Sequence, residues 1–182
     1  MALLGAIIAG GRGTRFGSDK GAALIDGVAM IDRVAHALRP QVDALIVVGR
    51  EWPGMRSVDD HPRLGLGPLG GLCGALRFAA TTGFELVAAV PCDLLPVPDF
   101  TDLARNGAAA VIAGHEICGV WPIAFLPKLE AFIAKAPKLS MRAWIAHSGA
   151  SSLASHREHH DLNTREAVEA YRARDPRHDG DR

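Results

Sequence analysis

Three uninterrupted apolar runs constrain the fold of this chain more than any other feature. Residues 3–9 read LLGAIIA, residues 44–49 read ALIVVG and residues 86–90 read LVAAV. None alternates polar with apolar, so each reads as a strand covered on both faces, the signature of a largely parallel sheet buried between helices. A fourth strand is expected at residues 108–114, AAAVIAG. Helical spacing separates them. Residues 30–38 place Met30, Ile31, Val34, Ala35 and Leu38 on one face, and Pro40 stops that helix. Residues 69–80 read as a helix opened by glycines, and residues 127–136 and 140–146 as two more. A last helix spans 164–173, with Thr164 as N-cap and Glu166 and Glu169 in its first turns. Repeated strand–helix–strand units predict an α/β fold of three layers, α/β/α, with a mostly parallel sheet. Ligands of such sheets bind beyond the carboxyl ends of the strands, so the loops after Ala9, Gly49 and Val90 should share one edge. A single domain is expected over residues 1–172, followed by a charged tail, ARDPRHDGDR at 173–182, expected to be disordered.

The bulk numbers narrow the partners. The 182 residues suit one domain, and 48% hydrophobic residues can fill a core. Lys+Arg and Asp+Glu both number 20, so any anion site must be local; no nucleic-acid partner and no membrane surface is expected. Aromatic residues at 5% also argue against a base-stacking platform. Cys73, Cys92 and Cys118 are scattered and odd in number, which favours reduced thiols in a cytoplasmic protein over a disulfide framework or zinc site. The opening MALLGAIIAGG lacks a basic n-region and does not read as a signal peptide, and no apolar run is long enough to span a bilayer. A cytoplasmic monomer is the expectation.

After the first strand comes GGRGTRFGSDK, residues 10–20. It fails as a P-loop because Asp19 precedes Lys20, and it fails as a dinucleotide fingerprint because Phe16 stands where the third Gly belongs. GLGPLG at 65–70 matches that fingerprint by letter but contains Pro68 and follows no buried strand; it reads as a tight turn at a helix start. Glycines let backbone N–H groups approach a phosphate, and Arg12, Arg15 and Lys20 add cations, so the first loop suits a polyphosphate. The alternative is a solvated turn; position directly after a buried strand favours the anion site.

Other residues carry chemistry at the same edge. Asp93 follows the third strand in PCD, where a lone carboxylate facing phosphates can hold Mg²⁺; the competing reading is a turn aspartate. Asp59 and Asp60 read as solvated neighbours unless something anchors them. His156, His159 and His160 cluster, but no Cys or Glu stands at metal-ligand spacing. Cys92 has no basic partner nearby in sequence and reads as a small packed residue.

These stretches together resemble a known family. IIAGGRGTRFGSDK is similar to the glycine-loop signature of nucleotidylyltransferases with the nucleotide-diphospho-sugar transferase fold, and the whole chain resembles the molybdenum cofactor guanylyltransferases. LGLGPLGGLCGAL is similar to that family's G-P-L-A-G segment, VAAVPCDLLPVP to its strand ending in P-C-D-x-P, and LNTREAVEAY to its closing N-x-N-T-P-E-E-L. The resemblance implies a Rossmann-like nucleotidyltransferase fold and transfer of GMP from GTP to the terminal phosphate of molybdopterin, with Mg²⁺ and release of pyrophosphate. By that resemblance Ile8, Ala9, Gly10, Lys20, Asp60 and Asp93 bind the nucleotide, with Asp93 holding the metal, and the loop chemistry adds Gly11 and Gly13 as backbone N–H donors. Arg15, Lys20 and Asp93 form the catalytic set, and Asp161 and Asn163 bind the acceptor. Other cofactor-biosynthesis proteins or molybdoenzyme chaperones are implied as partners. A-G-G rather than A-A-G in the loop goes with GTP over CTP among such enzymes. A cytidylyltransferase, or transfer to another phosphate acceptor, is the competing reading.

Two departures stand out. VVGR at 47–50 lies where the family often has Asn, and Asp161 and Arg165 replace the first Asn and the Pro of the closing motif. The chemistry needs no strong base, because the acceptor phosphate is already an anionic nucleophile; positioning and charge neutralisation are the protein's tasks.

Overall fold

The computed structural model describes residues 1–10, 21–136 and 138–174. Eleven strands appear in chain order: β1 (Leu3–Ile8), β2 (Leu24–Ile25), β3 (Val28–Ala29), β4 (Ala44–Val48), β5 (Arg56–Val58), β6 (Leu86–Pro91), β7 (Leu94–Leu95), β8 (Ala110–Ile112), β9 (His115–Pro122), β10 (Ser151–Leu153) and β11 (His160–Asp161). The helices are α1 (Met30–Leu38), α2 (Pro68–Thr82), α3 (Thr101–Arg105), α4 (Leu126–Lys135), α5 (Met141–Ser148) and α6 (Arg165–Arg174).

Seven strands form one sheet in the order β10-β8-β9-β6-β1-β4-β5. β1 lies at its centre, parallel to β4 and β6, and β4 is parallel to β5. Side chains alternate across the sheet, and both faces are apolar. On one face Leu3, Ile7, Val47, Ala88 and Val90 meet α1 and α6; on the other Leu4, Ala6, Ile46, Val87 and Ala89 meet α2, α4 and α5. That double cover is why these strands carry unbroken apolar sequence.

Helix ends follow local chemistry. Ser140 Oγ accepts the Ala143 N–H at 3.2 Å and Thr164 Oγ1 accepts the Ala167 N–H at 3.1 Å, so each is an N-cap. Gly83 and Gly149 close α2 and α5 in the left-handed conformation. The helix after Thr164 runs to Arg174, two residues into the expected tail; residues 175–182 lie outside the described residues.

The sheet departs from the sequence expectation at β9, which runs antiparallel to both β6 and β8. The strand begins with the polar HEIC directly after a turn at Gly114 (φ +84°), which hides a strand whose Cys118, Val120 and Trp121 are buried. A small antiparallel ladder joins β7 to β11, pairing Leu94 with Asp161 and Leu95 with His160. Among the described residues no helix is long and apolar enough to cross a membrane.

Candidate active site

The carboxyl ends of β1, β4, β5 and β6 meet at one edge, and of the residues singled out from sequence Ile8, Ala9, Gly10, Asp60 and Asp93 gather there. Ile8 and Ala9 are buried, Ile8 as the last residue of β1, and the Ala9 N–H donates to the Val48 carbonyl at 2.9 Å. Gly10 follows as the first exposed residue. Gly49, the residue after β4, lies directly against it: a Cβ on Gly49 would lie 2.5 Å from the Gly10 Cα, and Gly49 has φ +85°. Only glycine satisfies both conditions. The Cys92 N–H donates to the Ile8 carbonyl at 3.2 Å, which fixes the β6 exit, and with it Asp93, beside the β1 exit.

Asp60 is the anchor that the sequence left undecided. It lies just past β5 and is 8% exposed. Its carboxylate faces Gly10 and Gly49, and Asp60 Oδ2 accepts the Gly65 N–H at 3.3 Å. The glycines of α2 allow this seat. A Cβ on Gly70 would meet Leu66 and Asp60, one on Gly71 would meet Ile8, and one on Gly74 would fall on the carbonyl oxygen of Asp59. The GLGPLG turn therefore holds Asp60 and starts α2 at Gly67 (φ 65°) and Pro68. Burial pushes the Asp60 carboxyl pKa up, the Gly65 N–H lowers it, and neighbouring Asp59 raises it.

That direction gives a stability prediction. An acid whose folded pKa is raised loses native stability as pH climbs from the ordinary carboxylate range through the raised value. Asp60→Asn should therefore raise the melting temperature of the nucleotide-free protein near neutral pH, by about 2–4 °C. The gain should vanish in acid, where Asp60 is protonated. A thermal-shift series over pH in which the two proteins differ equally at every pH would refute this account.

Asp93 is 7% exposed, and its carbonyl accepts the Leu162 N–H at 2.8 Å. This bond and the β7–β11 ladder carry Asp161 and Asn163 to the Asp93 side of the edge, and the Asn163 N–H donates to the Asp161 carbonyl at 2.9 Å. Beneath them Cys118 is fully buried. Its thiol pKa is pushed well up, first by burial and then by the negative charges of Asp161 and Asp93. Two carboxylates thus load one corner with negative charge, an environment that suits a hard cation. Among the described residues no three His, Cys, Asp or Glu side chains form a full ligand set. Asp93 fits the other mode of holding Mg²⁺, in which one or two carboxylates share it with substrate phosphates and water.

Gly11, Gly13, Arg15 and Lys20 lie outside the described residues. The histidines divide. His159 is buried; its Nδ1 donates to the Pro96 carbonyl at 2.7 Å and its Nε2 contacts Ser155 Oγ at 2.6 Å, so it fastens a loop. His160 stacks edge-on to Tyr171, and His156 is exposed. A groove of about 420 Å³ between residues 61–66 and α4 lies outside this constellation, touching neither Asp60, Asp93 nor Asp161.

Residues 5–159 match the model of the MobA-like NTP transferase domain. The chain belongs to that family. It is 36% identical over 169 residues to the molybdenum cofactor guanylyltransferase of Cereibacter sphaeroides, covering 83% of this chain and 84% of that one. It is 34% identical to the protein of the same name from Sinorhizobium fredii, covering 77% and 72%. Among solved structures it superposes on molybdopterin-guanine dinucleotide biosynthesis protein A from Archaeoglobus fulgidus, with TM-score 0.72 and 15% identity over 93% of this chain and 97% of that one. Membership accounts for the shared edge: the fold is that of nucleotidyltransferases, and β1, β5 and β6 deliver the glycine-loop start, Asp60 and Asp93 to it.

Proposed function

We propose that this enzyme transfers GMP from GTP to the terminal phosphate of molybdopterin. An acceptor phosphate oxygen attacks the α-phosphorus of GTP. A new P–O–P link forms, the bond between the α-phosphorus and the bridging oxygen breaks, and pyrophosphate leaves with that oxygen and the electron pair. The observation that carries this reading is the meeting of Gly10, Asp60 and Asp93 at one sheet edge, with Asp161 and Asn163 brought to the Asp93 side.

Each residue has a task in that reaction. Ile8, Ala9 and Gly10 form the wall against which the guanine nucleotide lies, and Asp60 is the buried carboxylate available to its polar groups. Gly11 and Gly13 would supply backbone N–H donors, and Arg15 and Lys20 would offset charge on the pyrophosphate, as the chemistry of a glycine loop with cations suggests. Asp93 would hold Mg²⁺, which when bound neutralises phosphate charge and orients the triphosphate. Asp161 and Asn163 receive the acceptor.

GTP with Mg²⁺ should raise the melting temperature, and transfer of label from α-labelled GTP should require molybdopterin. At ligand a hundredfold above Kd the stabilisation is about 2.7 kcal/mol, readily seen in a thermal scan. Equal or greater stabilisation by CTP would reassign the chain as a cytidylyltransferase, and transfer to a sugar phosphate instead would reassign the acceptor.

A further inference from the structure

We propose that His115 is a positioning residue for the acceptor end of the site and that it acts through Asp161; the inference rests on the acceptor role given to Asp161 above. His115 opens β9, where a register shift sets it opposite Ile112. Its Nδ1 lies 3.4 Å from Asp161 Oδ2. That nitrogen is buried and makes no aligned hydrogen bond. Buried polar atoms without a partner are rare, and the group within reach of this one is the Asp161 carboxylate. Site contacts of this kind commonly tighten when substrate arrives.

The imidazole is braced. It forms a T-shaped pair with His159, with ring centroids 5.6 Å apart and planes at 87°. His159 is pinned by Pro96 and Ser155, both of its ring nitrogens being used. Glu116, the neighbouring carboxylate, is taken by Arg142 Nε at 2.7 Å. Among the described histidines, His115 is thus the one that presents a nitrogen to Asp161.

Asp161 needs such a brace. Its side chain is 45% exposed on a two-residue strand, so backbone pairing with Leu94 sets its position but not its rotamer. Holding one carboxylate oxygen with a partner from the central sheet leaves the other aimed for the acceptor, and lowers the ordering cost when the acceptor binds. Where the family pattern has Asn at this position, no anionic side chain requires a partner; here Asp161 and His115 form the unit.

The test is steady-state transfer with GTP and molybdopterin. His115→Phe keeps a ring but removes the nitrogen. It should raise KM for molybdopterin about fivefold, the upper range for a partly exposed pair, with KM for GTP and kcat unchanged within about twofold. His115→Asn, whose amide nitrogen can stand near the Nδ1 position, should stay within about twofold of wild type. In an Asp161→Ala background His115→Phe should add less than about twofold. Independent, multiplying effects of the two substitutions would overturn the inference, as would an equal rise in KM for GTP. If His115→Phe does not fold, His115→Leu carries the same comparison. A wild-type protein that transfers nothing to molybdopterin overturns the functional reading and this inference together; normal wild-type transfer with multiplying effects removes this inference alone.

Discussion

Asp93→Ala is expected to lower GMP transfer by at least three orders of magnitude, a loss of roughly 4 kcal/mol of transition-state stabilisation. The size follows from placement. Asp93 leaves β6 next to the β1 exit, with Cys92 bonded to Ile8, and its carbonyl is bonded to Leu162. Both fastenings are backbone bonds and survive the substitution, so the fold should remain. What disappears is the carboxylate that would carry the metal onto the phosphates. Circular dichroism and melting temperature should match wild type while α-labelled GTP is no longer transferred. A variant that turns over near the wild-type rate would remove Asp93 from the metal role. Asp93→Asn separates charge from shape: it retains a neutral oxygen ligand and should recover only a small part of the rate.

Gly74→Ala should produce the largest loss of stability, roughly 2–4 kcal/mol, or about 5–15 °C in melting temperature. The added Cβ meets the carbonyl oxygen of Asp59, which is backbone and cannot swing away. Either α2 moves off the sheet or the 59–60 segment moves off the helix. The second route displaces Asp60, so the variant should also give a smaller thermal shift with GTP. Thr81→Ala, on the exposed face of the same helix, is the control and should shift stability by no more than about 0.5 kcal/mol. A Gly74→Ala protein that melts with wild type would mean that α2 and the 59–60 segment can separate freely.

Periodicity made the layers legible. Helix α1 has the bounds its apolar spacing indicates, and β1, β4 and β6 were readable because strands covered on both faces need no polar positions. The place of Asp93, the last residue of PCD, was readable because it directly follows a buried strand. It was not readable where the partner comes from elsewhere. Asp60 looked like one of two solvated carboxylates because its seat is made by Gly10, Gly49 and the α2 glycines, which belong to three other segments. β9 was missed because its apolar residues come late in the strand, behind HEIC. The GLGPLG turn matched a dinucleotide letter pattern, whereas its observed work is to hold a carboxylate and start a helix. The histidine trio gave no sign that His159 would serve a loop, or that the histidine facing Asp161 would be His115, from β9.

The short ladder between β7 and β11 also orders events during synthesis. β1, β4 and β6 lie within residues 3–91, so the central strands of the sheet leave the ribosome well before β11. The strand that pairs with β7 and carries Asp161 emerges later, at residues 160–161. A nascent chain therefore has the strands that end at Ile8 and Pro91 before it has β11 to pair with β7. A chain that stops before residue 160 would lack β11 and α6, and would leave open the core face that Leu162 and Val168 close over β1 and β6.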